Sequence, residues 1–401
     1  MTFRRTALAE QMAQQLLRPS FLDTSLRSGL FLSGQRRVGK TTFLATDLIP
    51  ALEALGAIVA CVDLWSQPQA NPADLVHEAI RKTLKELQIP GSGILKRLKE
   101  VTNLEAGAAG FKFGFKLADV GKDDGVSLAQ AFQELIDQAR TDVVLIVDEV
   151  QHALGSADGD HLLHALKAAR DAINTRPGTP GHFLFIGTGS HRARVQELTL
   201  KGNQAFNGAV TNEFPVLGRD FIDYVLAQVG PQLGAMLPSA EVTEAAFRSM
   251  GSRPEELMKA LNVLRSLPPD ALPDEHLPTI AQSLGAAAAD VELQKVEAMG
   301  PLAEAVFSRI CSIGGDVKGV FTGEALKAYA AQIGREVTAQ EVQGIIGAMT
   351  SANLLMRVKH GHYGVTDPFV EKAWMNRLQA DQLLRASPAG DAPRLGAEKG
   401  N

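Results

Sequence analysis

The sequence predicts an α/β fold for the first half of the chain, followed by helical sequence and a small mixed region. Short apolar runs rich in β-forming residues alternate with helical stretches, which is typical of a mostly parallel sheet. The five candidate strands are Leu30 to Ser33, Ala57 to Asp63, Val143 to Asp148, Phe183 to Gly187 and Asn212 to Val216. The middle three are apolar at nearly every position, so we expect them to be buried on both faces.

The pattern changes after Leu217. Helical sequence interrupted by prolines extends from about Arg219 to Met299, and three further helices then precede two short strands, which is the order of a winged helix. The last residues are rich in Pro, Gly, Ala and charge without periodicity, so we expect disorder there. The predicted divisions are an α/β core over 1–217, a helical lid over 218–298, a winged-helix domain over 299–376 and a disordered tail over 377–401.

Composition excludes several classes of protein. The chain has 401 residues, of which 45% are hydrophobic and 21% charged, as in globular proteins of two or three domains. Its formal net charge is −5, so any contact with nucleic acid must come from a local basic patch. Cys61 and Cys311 cannot by themselves build a disulfide framework or a thiolate metal site. Since no signal peptide or bilayer-length apolar run is apparent, we expect a cytoplasmic protein.

A phosphate-binding motif follows the first predicted strand. It matches GxxxxGK[ST] and continues into a helical stretch, and its residues are Gly34, Gln35, Arg36, Arg37, Val38, Gly39, Lys40, Thr41 and Thr42. In this motif backbone N–H groups and a helix N-terminus surround the phosphates. Lys40 is expected to reach the β and γ phosphates, and the Thr41 hydroxyl to bind Mg²⁺. The motif therefore predicts ATP and Mg²⁺ as cofactors.

A pair of acidic residues at the end of the third predicted strand supports this interpretation. The apolar run from Val143 to Val147 ends in Asp148 and Glu149, so a buried strand carries two carboxylates to the edge where ligands of open α/β sheets bind. We expect Asp148 to hold the magnesium ion and Glu149 to polarise the attacking water.

With these motifs the chain resembles the AAA+ ATPases, and within them the bacterial and archaeal branch with a C-terminal winged helix, related to origin-recognition and transposition ATPases. The resemblance covers about residues 20 to 376. It rests on GQRRVGKTT at 34–42, VLIVDEVQ at 144–151, FLFIGTGS at 183–190 and GSRPEEL at 251–257. It implies an ATPase with a P-loop core, a helical lid and a winged helix.

The resemblance also implies a polar sensor of the γ-phosphate after the fourth strand. Relatives often have Asn there, whereas this chain offers Thr188, Ser190 and His191, and we assign the role to Thr188. The alternative is a turn whose hydroxyls only satisfy the end of the strand.

An arginine of the lid is the next implied site residue. Arg253 occupies the matching position, and Ser252 and Glu255 have the spacing of a capping box that would place it at a helix N-terminus. An ordinary surface arginine is the alternative. The resemblance further implies an arginine finger, which is an arginine of a neighbouring subunit that stabilises charge on the transferred phosphate, and it would make the protein an oligomer. The candidates for this residue are Arg192, Arg194 and Arg219.

Two segments are candidate partner surfaces. The sequence GAAGFKFGFKL at 107–117 alternates phenylalanines with lysines and predicts a strand or hairpin, either contacting DNA or a partner, or packing its rings on the core. In the winged helix, the third helix (Thr338 to Ala352) has no Lys or Arg, whereas the wing has Arg357, Lys359, His360 and His362. Contact with DNA through the wing and contact with a protein partner therefore both remain open.

The function that the sequence favours is ATP hydrolysis coupled to remodelling or loading on DNA or protein. One alternative is a nucleotide-gated switch or scaffold with negligible turnover. A DExH-type helicase is a weaker alternative, because the helical sequence after Leu217 does not provide a second RecA-like domain.

Overall fold

A computed structural model describes residues 2–21, 25–67, 70–102, 110–122, 124–154, 156–202, 204–359 and 361–386. The chain divides into two compact units. The first comprises Met1–Phe247 and Ser252–Leu277, and the second comprises Arg248–Gly251 and Pro278–Asn401. The division into core, lid, winged helix and tail stays a prediction.

The first unit contains a parallel sheet of five strands in the order β2-β3-β4-β1-β5. The strands are β1 (Leu30–Ser33), β2 (Ile58–Asp63), β3 (Val143–Asp148), β4 (Phe183–Gly189) and β5 (Val210–Glu213). β4 therefore lies between the strand that precedes the phosphate motif and the strand that ends in Asp148. The predicted α/β class is confirmed, although β5 begins two residues before the predicted Asn212 and ends at Glu213.

The helices of both units are, in chain order, α1 (Thr6–Leu17), α2 (Lys40–Phe43), α3 (Ile49–Ala54), α4 (Pro72–Gln88), α5 (Gly93–Thr102), α6 (Leu128–Ala139), α7 (Ala157–Asn174), α8 (Arg192–Leu200), α9 (Arg219–Leu233), α10 (Ala240–Ser249), α11 (Pro254–Arg265), α12 (Pro273–Ala298), α13 (Pro301–Ile313), α14 (Gly323–Ile333), α15 (Ala339–Ser351) and α16 (Pro368–Ala386). A π-helical turn, Leu44–Leu48, joins α2 to α3. Several helices begin where the sequence supplies a cap; for example, Ser127 and Gln130 form a capping box before α6.

Both faces of the sheet are buried, which explains its continuous apolar strands. Along β3, Val143, Leu145 and Val147 belong to one apolar core, whereas Val144 and Ile146 belong to another on the opposite face. Because β1, β4 and β3 pair in parallel, their carboxyl ends lie at the same edge of the sheet.

The segment that follows residue 109 differs from its prediction. Residues 110–116 form neither strand nor hairpin, and residues 107–109 lie outside the described part of the chain. Phe111 is buried, and Phe113 and Phe115 pack against the same core. The alternation arises because the rings face the core while Lys112 and Lys116 are exposed, without any ladder of strand hydrogen bonds.

The second unit contains an antiparallel sheet of three strands in the order β6-β8-β7. The strands are β6 (Val317–Lys318), β7 (Leu355–Lys359) and β8 (His362–Val365). Along the chain they alternate with α13, α14 and α15 in the order helix, strand, helix, helix, strand, strand. α16 extends to Ala386, so the first ten residues of the predicted tail are helical, and residues 387–401 lie outside the described part of the chain.

No helix among the described residues is long and apolar enough to cross a membrane. Cys61 and Cys311 are both free thiols.

Candidate nucleotide-binding site

The phosphate motif forms a tight loop between β1 and α2. Gly39 has a φ of 89° and Arg37 a φ of 67°, so two of its residues adopt left-handed conformations. At Gly34 a Cβ atom would lie 3.1 Å from Cβ of Phe214, so a larger residue would press on the core. Close packing at Gly34 and the backbone conformation at Gly39 therefore explain the two glycines of the motif.

Lys40 is buried at the first position of α2. Its Nζ atom donates hydrogen bonds to the carbonyl oxygens of Gly34, at 2.7 Å, and Gln35, at 2.6 Å. Burial lowers the pKa of this ammonium group to about 8, although Glu149 and Asp148 favour the charged form. The Lys40 ammonium group is therefore held by carbonyl groups of the phosphate loop, where the motif predicts that phosphates bind.

Asp148 and Thr41 meet as the sequence predicts. The Thr41 hydroxyl donates to Oδ2 of Asp148 at 2.7 Å, and Asp148 is almost fully buried. Its Oδ1 accepts from the backbone N–H of Glu149, at 3.0 Å, and from the Thr188 hydroxyl. A hydroxyl and a carboxylate in contact suit Mg²⁺, which prefers oxygen ligands and obtains the rest from water and phosphate. The donor set therefore fits the expected ion.

Glu149 follows β3 in a left-handed conformation, with a φ of 54°. Its Oε2 atom accepts from the Ser190 hydroxyl at 2.8 Å, from the Ser190 N–H at 3.2 Å and from the Gln151 amide. Burial by itself would raise the pKa of Glu149, but the hydrogen bonds from Gln151 and Ser190 outweigh it and lower the pKa. The carboxylate is therefore ionised and tied to the protein through one oxygen.

The two polar residues at the end of β4 have different neighbours. Thr188 is buried, and its hydroxyl is engaged with Asp148. Ser190, two residues later, contacts Glu149. Sequence reasoning named both residues and preferred Thr188; the structure places Ser190 against the carboxylate expected to orient water. The sensor assignment to Thr188 stays a prediction.

Arg253 precedes α11, as predicted, but the predicted capping box is wrong. The helix begins at Pro254 with Arg253 as its N-cap residue, and no side chain caps it. Ser252 lies one residue too early and has a φ of 53°, so it cannot pair with Glu255 in the capping geometry. The proline fixes the first helical turn and thereby moves the helix start by one residue.

The sequence analysis did not predict the contact between Arg36 of the phosphate loop and the aromatic pair Trp65 and His152. The Trp65 ring lies 4.6 Å from that of His152, and the Arg36 guanidinium lies 5.4 Å from the Trp65 ring centroid. Nε of Arg36 is also 3.4 Å from the Ser190 hydroxyl. Trp65 is about half exposed. A tryptophan shortly after the second strand of such a sheet is a signal that could have indicated this contact.

The three candidate finger arginines have different environments. Arg192 pairs with Glu213 at 3.0 Å. Arg219 lies within 4 Å of three acidic side chains of α9 and α10, namely Asp223, Glu241 and Glu244. The structure gives the Arg194 side chain no ion pair among the described residues. Among these three candidates, Arg194 is thus the one whose charge has no acidic partner among the described residues, and the finger assignment stays open.

The wing residues belong to the second unit. Arg357 is exposed on β7, whereas Nδ1 of His362 on β8 lies 2.7 Å from Oδ1 of Asp316. Lys359 ends β7, and His360 lies outside the described residues. On α15 the exposed residues include Gln343, Gly344 and Gly347 but no lysine or arginine, as the sequence requires.

Comparison with known proteins supports the fold and the nucleotide site. Residues 23–195 match the family model of the AAA domain. The Walker-type ATPase PABY2304 of Pyrococcus abyssi is 17% identical, with 93% of this chain and 97% of that chain covered and a TM-score of 0.56. The ADP form of the Aeropyrum pernix ORC2 protein is 14% identical, with 96% of each chain covered and a TM-score of 0.51. No curated protein matches the sequence.

At these identities the two solved structures establish a shared fold, whereas the family match covers the phosphate motif, Asp148 and Glu149. The expected AAA+ P-loop core is therefore confirmed. Residues 23–195 are thus similar to the AAA domain, and the fold of this part of the chain is that of an AAA+ P-loop core.

Proposed function

We propose that this protein binds ATP with Mg²⁺ and hydrolyses it. The observation that carries the proposal is the convergence of Lys40, Thr41, Asp148 and Glu149 at the carboxyl ends of β1 and β3, with Thr41 and Asp148 2.7 Å apart. These groups supply a cation for the phosphates, two oxygen ligands for a metal and a carboxylate for water, which is the set that phosphoryl transfer to water requires.

Each residue has a distinct task in this proposal. Lys40 exchanges its bonds to loop carbonyls for bonds to the β and γ phosphates, and Thr41 and Asp148 hold Mg²⁺, which neutralises phosphate charge when bound. Glu149 orients a water molecule and accepts its proton. The water oxygen bonds to the γ-phosphorus while the bond to the β–γ bridging oxygen breaks, which gives ADP and phosphate.

We propose further that α9 to α11 act as a lid that responds to nucleotide. Within the first unit, NH1 of Arg37 in the phosphate loop lies 3.8 Å from carboxylate oxygens of both Glu255 and Glu256 in α11. These long ion pairs link the loop to the helix that Arg253 precedes. A γ-phosphate bound between the phosphate loop and α11 would attract both Arg37 and Arg253. Arg253 is therefore the proposed contact from the lid to the nucleotide.

The proposed output is DNA or protein remodelling through a winged helix formed by α13 to α15 and β6 to β8. Their order along the chain and the antiparallel strands support this assignment. A second basic surface on the first unit favours nucleic acid as one partner: residues 81–116 contain eight Lys or Arg and three Asp or Glu. Among them Lys82, Lys85, Lys96 and Lys99 are exposed on α4 and α5.

Steady-state ATPase turnover with and without single- and double-stranded DNA tests the proposal. Magnesium-dependent turnover that DNA alters would support the coupled ATPase. Tight ATP binding with no turnover under any condition would instead favour the nucleotide-gated switch. Turnover that DNA leaves unchanged would favour a protein rather than DNA as the molecule that is remodelled.

One prediction separates the two basic surfaces. Because phosphate contacts are sequence-blind, changing Arg357 and Lys359 together to Ala should weaken DNA binding about equally for all sequences and reduce the salt slope by up to about 2. Gln343→Ala on α15 is the control and should have little effect. Fluorescence anisotropy with several duplexes at graded salt measures both quantities.

The same measurement on Lys96→Ala with Lys99→Ala tests the α4–α5 surface. If only this pair reduces affinity, DNA contacts the first unit and not the wing. A strong sequence preference that is lost in Gln343→Ala would contradict phosphate-only contact. Absence of binding by the parent protein would remove DNA as partner.

A pH dependence of ATP binding follows from the depressed pKa of Lys40. Its ammonium group is charged below about pH 8 in the free protein, and phosphates should raise its pKa. Binding should therefore take up a proton above pH 8, with affinity falling by up to about tenfold per pH unit there. Calorimetry in buffers of different ionisation enthalpy counts the proton. Lys40→Arg is the control, because arginine stays charged and the uptake should disappear.

A further inference from the structure

We propose that Gln151 is a positioning residue for Glu149, and that it makes Oε1 the carboxylate oxygen that faces the attacking water. This inference rests on the proposed hydrolysis and adds a residue to it. Gln151 lies two positions after Glu149, in the turn Val150–Ala153 that follows β3.

The first observation is the way the carboxylate is held. Among the described residues, the hydrogen bonds to the Glu149 side chain all converge on Oε2, and its donors are the Gln151 amide, the Ser190 hydroxyl and the Ser190 N–H. Three donors saturate that oxygen. Oε1 is then the oxygen that remains to accept from a water molecule, and its direction is fixed by the bonds to Oε2.

The second observation is the space made for the amide of Gln151. Gln151 is 7% exposed. A Cβ atom at Gly189 would lie 2.2 Å from Oε1 of Gln151 and 2.6 Å from Cγ2 of Val195. Only glycine at the end of β4 therefore lets the amide occupy its place, and this accounts for the second glycine of the GTGS segment.

The third observation is an unmatched acceptor. Within the described part of the chain, Oε1 of Gln151 is buried without a hydrogen-bond partner. A buried amide with an unused acceptor is costly for stability, so a leucine of similar size would be the more stable choice in a purely structural role. The amide is oriented by its one bond to Glu149 and by the packing at Gly189.

The consequence for turnover distinguishes positioning from packing. Gln151→Leu keeps the volume and removes one donor, so Oε2 of Glu149 loses a bond that fixes the direction of Oε1. Gln151→Glu keeps the shape, removes the same donor and places a second carboxylate beside the first. A residue that only fills space would tolerate Gln151→Leu.

The test compares kcat and KM of ATP turnover for the parent, Gln151→Leu and Gln151→Glu, each also in the Glu149→Gln background. Because Gln151 acts through Glu149, Gln151→Leu should have little further effect on kcat in Glu149→Gln. At neutral pH kcat should fall about tenfold in Gln151→Leu while KM changes less than about twofold. Gln343→Leu, at an exposed position, is the matched control.

A second measurement does not depend on hydrolysis. In nucleotide-free protein labelled with carbon-13 at glutamate carboxyls, the Glu149 signal is the one missing from Glu149→Gln, and its chemical shift at neutral pH should change in Gln151→Leu, because Oε2 loses one hydrogen bond. Gly189→Ala should reproduce that change, because its methyl group displaces the amide. An unchanged signal and an unchanged kcat in Gln151→Leu would overturn the proposal. A changed signal in Gln151→Leu, with no turnover by the parent, would keep the contact and reject hydrolysis.

Discussion

Lys40→Ala should raise the Kd for ATP at least about a hundredfold, because the phosphates lose the loop cation and its charge-assisted hydrogen bonds. The fold should persist, since the apolar cores of the sheet do not include this side chain. Calorimetric titration with ATP and Mg²⁺ measures the loss. Circular dichroism of the same sample checks that the protein is folded.

Lys82→Ala is the matched control, because this lysine is exposed on α4. It should leave ATP affinity within about twofold of the parent. Equal ATP affinity in Lys40→Ala and the parent would contradict the nucleotide site itself, and with it every proposal built on hydrolysis.

Glu149→Gln should reduce kcat by roughly a hundredfold to ten-thousandfold while ATP and Mg²⁺ still bind. The substitution fits the geometry. The amide oxygen can take the position of Oε2 and accept from Ser190 and Gln151, which leaves the amide NH₂ group facing the site. An NH₂ group cannot accept a proton from water, so hydrolysis slows although the shape of the side chain is preserved. Turnover and nucleotide affinity are measured on the same preparation.

Glu100→Gln, on the exposed face of α5, is the control and should hydrolyse ATP like the parent. The Glu149 variant should also accumulate any ATP-dependent oligomer, which light scattering detects. If it hydrolyses ATP at the parent rate, Glu149 has no role in orienting water.

The sequence by itself determined the sheet and most of the candidate nucleotide site. Continuous apolar runs require strands buried on both faces, so four of the five strands could be placed within two residues at each end. The roles expected of Lys40, Thr41 and Asp148 follow from a local motif and one strand end. Local spacing encodes them, and the parallel sheet then brings them to one edge.

Contacts between distant segments decided the rest. Ser190 and Gln151 meet at Glu149 only because β4 lies beside β3 and Gly189 leaves room for the amide. The stack of Arg36 on Trp65 joins the phosphate loop to the segment after β2. Residues 110–116 alternate like a strand but pair with no strand in the described part of the chain, and their rings pack on the core. Periodicity records which side chains are buried, whereas the partner that each one meets depends on packing between segments far apart in the chain.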